Sequence, residues 1–145
     1  MCLPELSWPD PILLMENSFH GQDAFNFLHF VESSHFTKSW NELGLNDEAD
    51  LSTLQIAIMS NPQMGNVVAG TGGLRKMRFS TPAQGRGKRG AYRVCYVYFE
   101  EYDVAYLMLI YMKNEKDDLS SAEKRKIKEL IEGIGEELER LQHLK

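Results

Sequence analysis

The apolar run Val104–Met112 constrains the fold of this chain more than any other stretch of the sequence. Its residues, VAYLMLIYM, include no charged side chain. A strand that is apolar at nearly every position has to be covered on both faces, which is typical of a central strand. The run is also far shorter than the ~20 residues that a helix needs to span a bilayer. We therefore predict a globular domain built around this strand.

The remaining pattern predicts a strand, two helices, three antiparallel strands and a C-terminal helix. Helical spacing and caps place the first two helices after Ser33 or Ser34 and after Asn46 or Asp47, and a capping box at Ser120 starts the last helix. We expect an α+β sandwich with the helices on one side of the sheet. Residues 1–27 are predicted to be an arm or extension, and residues 28–145 the domain. The predicted strands are Phe27–Glu32, Leu74–Ser80, Ala91–Glu101 and Val104–Lys113.

Charge is segregated along the chain. Residues 51–99 carry seven Lys or Arg side chains and no Asp or Glu, although the net charge of the whole chain is −5. Strand alternation turns Met77 toward the core and leaves Lys76 and Arg78 on the open face, with Arg75 at the rim. A basic surface on an acidic protein favours a polyanionic partner. The alternative is a solvated face that only aids solubility.

The tyrosines of the second meander strand have two interpretations. Tyr96 is a candidate to stack on an unpaired base. For Tyr92 and Tyr98, ordinary packing within the strand is the simpler interpretation.

Other chemistries find less support in the sequence. The glycine run Gly70–Gly73 lacks the G-x-x-x-x-G-K-[ST] pattern and precedes a strand, so it is not a nucleotide-binding loop. The four histidines have no metal-ligand spacing, and Cys2 and Cys95 are isolated, so we predict no metal, cofactor or disulfide. The first basic residue is Lys38, which argues against a secretory leader and for a cytoplasmic protein.

Three ordered motifs carry a family resemblance. They are GTGGLRKMR at Gly70–Arg78, GRGKRGAYR at Gly85–Arg93 and YMKNEKDDL at Tyr111–Leu119. With these motifs, residues 29–139 resemble the RelE/HigB family of toxins from bacterial toxin–antitoxin pairs, and the HigB-like branch most closely. One departure is Ala91, where that branch has a glycine.

The resemblance implies a RelE-like fold and a toxin that cleaves messenger RNA in the ribosomal A site, next to 16S rRNA, without a metal. It also implies a HigA-like helix-turn-helix antitoxin as the partner and no membrane association. In such cleavage the 2′-oxygen of the RNA is the nucleophile. Arg and Lys side chains would stabilise the charged phosphorane that forms.

The resemblance further suggests which residues act. Arg93 and Arg78 are expected to stabilise charge in the transition state, and Lys76 and Lys113 to position the phosphate or transfer a proton. The general acid and base stay open, because the RelE branch has an arginine at Asn114 and a tyrosine near Ser120. The candidates for that role are Tyr96, Lys88 and Lys113. The predicted RNA-binding residues are Arg75, Arg86, Lys88, Arg89, Tyr96 and Asn114.

Two other functions stay open at the level of sequence. One is a non-catalytic toxin of the ParE type, which would bind a protein target such as gyrase. The other is an inactive homologue that binds RNA or an antitoxin. An acid-free basic sheet favours the nuclease, because a gyrase-binding protein has no need of it.

Overall fold

The structure is a computed structural model that describes residues 28–82, 92–115 and 119–144. Its described part contains five strands and three α-helices. The strands are β1 (His29–Glu32), β2 (Asn66–Val67), β3 (Arg75–Phe79), β4 (Tyr92–Phe99) and β5 (Val104–Met112). The helices are α1 (Ser34–Glu42), α2 (Ala49–Ser60) and α3 (Ser121–His143). The predicted α+β class is confirmed.

All five strands belong to one sheet, in the order β1-β5-β4-β3-β2. Strands β3, β4 and β5 form the predicted antiparallel meander, and β1 pairs parallel with β5. The short strand β2 was not predicted. It pairs antiparallel with β3 through Asn66–Lys76 and Val67–Arg75, within a connection that the sequence indicated to be irregular.

The helices cover both faces of the sheet, so the prediction that they lie on one side is wrong. Helices α1 and α2 supply Trp40, Leu54 and other residues to one apolar cluster. Helix α3 supplies Ile127 and Ile131 to a second cluster on the opposite face. Strand β5 contributes to both clusters, which is why its sequence is apolar throughout.

Strand β4 divides its side chains between the two clusters in strict alternation. Val94 and Tyr96 face α1 and α2, whereas Cys95 and Val97 face α3. The β4–β5 register shifts between Cys95 and Tyr96, and the extra residue on β5 is Met108. Such a bulge places two successive residues on one face. Met108 and its neighbour Leu109 accordingly both lie in the α3 cluster.

Side-chain caps mark the start of α1 and of α3. Ser33 Oγ accepts a hydrogen bond from Phe36 N at 2.9 Å at the start of α1. Asn46 Oδ1 accepts from Glu48 N and Ala49 N in the turn before α2. The N-cap of α2 is Glu48, which makes no side-chain cap hydrogen bond, so the predicted cap at Asn46 or Asp47 is wrong. The predicted capping box of α3 is present, with Ser120 N donating to Glu123 Oε1 and Glu123 N to Ser120 Oγ.

None of the three helices described above is both long and apolar enough to cross a membrane. The boundary between an arm and a domain at residues 27 and 28 stays a prediction, because residues 1–27 lie outside the described ranges.

Candidate nucleic-acid interface

Two arginines face each other on adjacent strands. Arg78 of β3 and Arg93 of β4 are direct partners in the antiparallel ladder, so their side chains leave the sheet on the same face. Lys76 lies two residues before Arg78 and shares that face. Like charges placed directly opposite destabilise a sheet. The fold therefore keeps three cations together at a cost in stability.

These cations line a solvent-open cleft of about 520 Å³. Its lining residues are Met64, Asn66, Lys76, Met77, Arg78 and Arg93. There is no carboxylate among them, and neither β3 nor β4 contains one. The lining thus carries three cations and no acid, a composition that favours an anionic ligand. A phosphate group, with several acceptor oxygens, matches guanidinium donors well.

The floor beside this cleft is apolar and closed to solvent. Cys95 is the ladder partner of Lys76 and is 1% exposed. Burial raises the pKa of the Cys95 thiol to about 12, although the charge of Lys76 and a hydrogen bond with Tyr111 act in the opposite direction. Cys95 is a free, neutral core residue, as the sequence predicted, and not a nucleophile.

Arg75 does not line the cleft, contrary to its predicted role in RNA binding. It belongs to the other row of β3, with Met77 and Phe79. Its Nη1 donates to Gln63 O at 3.0 Å and to Gly65 O at 2.7 Å. The guanidinium is thus used to hold the chain between α2 and β2.

Tyr96 has no exposed surface, so its ring cannot stack on a base. It points to the α1–α2 side of the sheet, away from Arg93. Its hydroxyl donates to Pro62 O at 2.8 Å and accepts from Gly65 N at 3.3 Å. Burial raises the pKa of this phenol, against a lowering by the Gly65 hydrogen bond and the charge of Arg75. The predicted roles of Tyr96 in base stacking and proton transfer are therefore wrong.

The other predicted residues fall into two groups. Lys113 and Asn114 are exposed in the turn after β5, close in sequence to Tyr111, the ladder partner of Arg93. They are not among the residues that line the cleft. Arg86, Lys88 and Arg89 lie outside the described residues.

Four residues were not predicted: two of them line the cleft, and two lie against the glycine run Gly70–Gly73. Met64 and Asn66 line the cleft, although the sequence gave no reason to expect a strand there. Lys124 and Lys128 of α3 lie against the glycine loop: a Cβ at Gly72 would be 3.3 Å from Lys128 Cγ, and one at Gly70 would be 3.6 Å from Lys124 Cδ. The i, i+4 spacing of these two lysines indicated that they share one face of a helix.

Metal ligation finds no support in the part of the chain that the structure describes. Within it, no three His, Cys, Asp or Glu side chains come close enough together to hold an ion. The chemistry open to the described cleft is therefore that of its cations, its one amide and its two methionines.

No protein-family model matches this chain. Its structure is similar to that of a solved bacterial toxin. That structure is a double arginine-to-alanine mutant of the E. coli toxin RelE in the free state. The two chains are 15% identical, with a TM-score of 0.43. The match covers 61% of this chain and 85% of the RelE chain.

Proposed function

We propose that this protein is the toxin of a bacterial toxin–antitoxin pair, and that it acts in the cytoplasm as a ribosome-dependent mRNA endonuclease. The observation that carries the proposal is the acid-free cleft, where Arg78 and Arg93 stand opposite each other with Lys76 beside them. The three ordered sequence motifs that resemble the HigB-like toxins support the same activity.

The proposed cleavage uses groups that RNA itself provides. The 2′-oxygen loses its proton and attacks the adjacent phosphorus, and the bond from phosphorus to the 5′-oxygen breaks. The products are a 2′,3′-cyclic phosphate and a 5′-hydroxyl, so neither water nor a cofactor is consumed. Negative charge accumulates on the phosphoryl oxygens of the phosphorane.

Arg78 and Arg93 are suited to stabilise that charge. Their ladder pairing fixes the two Cα atoms across adjacent strands, so two guanidinium groups can donate to one phosphate from neighbouring positions. Donors that are held in place before the reaction contribute most when charge develops in the transition state. We assign them this role, and we assign to Lys76 the positioning of the phosphate or the transfer of a proton.

Proton transfer falls to the remaining basic side chains once Tyr96 is excluded by its burial. Lys76 lines the cleft, and Lys113 is exposed at the end of the strand that pairs with Arg93. Lys88, which lies between β3 and β4 in the sequence, is the third candidate. We also propose that Arg86, Lys88, Arg89 and Asn114 contact RNA, and that a HigA-like helix-turn-helix antitoxin is the partner.

The test is a brief induction of the chain in a bacterial host, followed by mapping of mRNA 5′-ends against the reading frame. We expect cuts at fixed positions within translated codons, which disappear when initiation of translation is blocked. Arg93→Ala should reduce cutting by at least about 100-fold, by comparison with the loss of one preorganised donor from an oxyanion hole.

The matched control is Arg140→Ala, which removes an arginine from an exposed pair with Glu137 on α3. It should cut like the unaltered chain. Thermal unfolding of each variant checks that the fold is retained. Growth arrest with intact mRNA would overturn the proposal in favour of a protein-binding toxin of the ParE type, and unchanged cutting by Arg93→Ala would overturn the assigned site.

A further inference from the structure

One side of the cleft is formed by residues 62–66, here called the rim segment. It connects the end of α2 to β2 and carries Met64 and Asn66. Neither residue has a charge, and both are exposed; Met64 is 43% exposed. The rim segment therefore gives the cleft a neutral side, opposite the cationic side formed by Arg78 and Arg93.

Hydrogen bonds from two buried or half-buried side chains hold the rim segment in place. Tyr96 bonds to Pro62 O and Gly65 N, and Arg75 donates to Gln63 O and Gly65 O. These bonds join the segment to β3 and β4 on the face opposite the cleft. A segment tied to two strands in this way presents its side chains in a fixed direction.

Close backbone contact adds to this restraint. A Cβ at Gly65 would lie 3.0 Å from Lys76 O and 3.1 Å from Arg75 Cβ, tighter than most Cβ contacts in proteins. Glycine thus lets the rim segment approach β3 directly. The next residue, Asn66, then becomes the ladder partner of Lys76 and shares its face of the sheet.

The position of Asn66 relative to the arginines matches the layout of a nucleotide. Asn66 is one strand away from β3, about 4.8 Å, and its partner Lys76 is two residues from Arg78, about 7 Å along the strand. A nucleotide whose phosphate meets the arginines can extend its base toward this side of the cleft. An unpaired base offers its hydrogen-bonding edges to protein side chains.

We propose that Asn66 reads the base of the nucleotide whose phosphate is bound by Arg78 and Arg93, and that it selects adenine. This inference rests on the proposed function. The amide of Asn66 offers one acceptor and one donor side by side, which matches the N6 amino group and N7 of adenine. Guanine presents two acceptors along the corresponding edge, so one of its contacts is lost. The exposed Met64 side chain packs against the face of the base.

The experiment compares the unaltered chain, Asn66→Ala and Asn66→Asp by the sequences at their mRNA cut sites. We expect adenine enrichment at one position beside the cut, reduced by about fivefold or more in Asn66→Ala, the lower end of the discrimination by an amide–adenine pair. Asn66→Asp should shift the preference toward cytosine, because a carboxylate accepts from the N4 amino group. Because the base frequencies at the cut sites are ratios, a variant that cleaves mRNA more slowly still shows whether the preference for adenine has changed.

The matched control is Asn41→Ala, which removes an exposed asparagine from α1 on the other side of the sheet. Its cut-site preference should equal that of the unaltered chain. An unchanged base distribution in both Asn66 variants overturns the inference and leaves the proposed function standing. Absence of any cut by the unaltered chain overturns both. If Asn66→Ala does not fold, the cut-site base preference of Asn66→Asp still tests the role of Asn66.

Discussion

At the scale of single residues, the pairing of Arg78 with Arg93 places two like charges side by side in the sheet, an arrangement that suits anion binding better than it suits folding stability. A pair of opposite charges would stabilise the ladder, whereas two arginines repel each other. The residues that line the cleft include no acid. A bound phosphate would accept hydrogen bonds from both guanidinium groups, which is the physical reason to place a polyanion in this cleft.

Strand alternation made part of this site predictable. Period-2 patterning was enough to place Lys76 and Arg78 together on one face, although that face is the one that α3 partly covers and not an open one. It could not reveal that Arg75 and Tyr96 bind the carbonyl groups of residues 62–65, because those contacts join segments that are distant in the sequence. A tyrosine in a strand has the same sequence signature whether its hydroxyl reaches RNA or a backbone carbonyl.

Cys95 gives a residue-scale prediction that depends on pH. Its thiol stays neutral in the folded chain up to about pH 12, whereas an unfolded thiol ionises near ~8.5. The free energy of unfolding should therefore fall as the pH rises between these values, because the unfolded chain binds fewer protons there. In a Cys2→Ser background, Cys95 should not react with an aromatic disulfide reagent at pH 8 until urea unfolds the chain.

The control for this measurement is Cys95→Ser, which leaves Cys2 as the chain's remaining thiol. If the thiol of Cys95 reacts as fast in native buffer as in urea, its burial beneath Lys76 is contradicted.

At the scale of elements, the caps were more predictable than the short strand. The Ser120–Glu123 box depends on local sequence alone, and both of its hydrogen bonds are present. Strand β2 has two residues. It forms because hydrogen bonds from Arg75 and to Tyr96 hold the rim segment against β3. Tertiary contacts of this kind leave no periodicity in the sequence.

The capping box gives the prediction for this scale. Ser120→Ala removes the acceptor for Glu123 N at the start of α3, so it should lower the free energy of unfolding by about 1 kcal/mol in urea titrations. Ser121→Ala, one residue further on, is the control and should change stability far less, since its position is exposed and helical. Equal losses in the two variants would contradict the cap.

The described ranges of the chain form two apolar layers, one on each face of the sheet, whereas the sequence predicted helices on one face alone. Alternation in β4 between Val94 and Cys95, and the continuous apolar run of β5, already required cover on both faces. The error was to assign α3 to the same face as α1 and α2, because helical periodicity shows that a helix has a buried face but not which side of the sheet it covers.

Charge is also arranged across the whole molecule. Arg93 lies near the start of β4, whereas Glu100 and Asp103 follow the end of that strand. Burial raises the pKa of the Tyr98 phenol most, and the charges of Glu100 and Asp103 raise it further. One end of the central sheet is therefore basic and the other acidic. A field with this polarity would orient the molecule so that a polyanion meets the cleft first.

The most direct test of the central claim is cleavage by the purified chain on ribosomes that hold a defined mRNA. Primer extension should show one cut within the codon in the A site, which depends on the ribosome and is lost with Arg93→Ala but not with Arg140→Ala. Intact mRNA on those ribosomes, or equal cutting of the same RNA without ribosomes, would contradict the account.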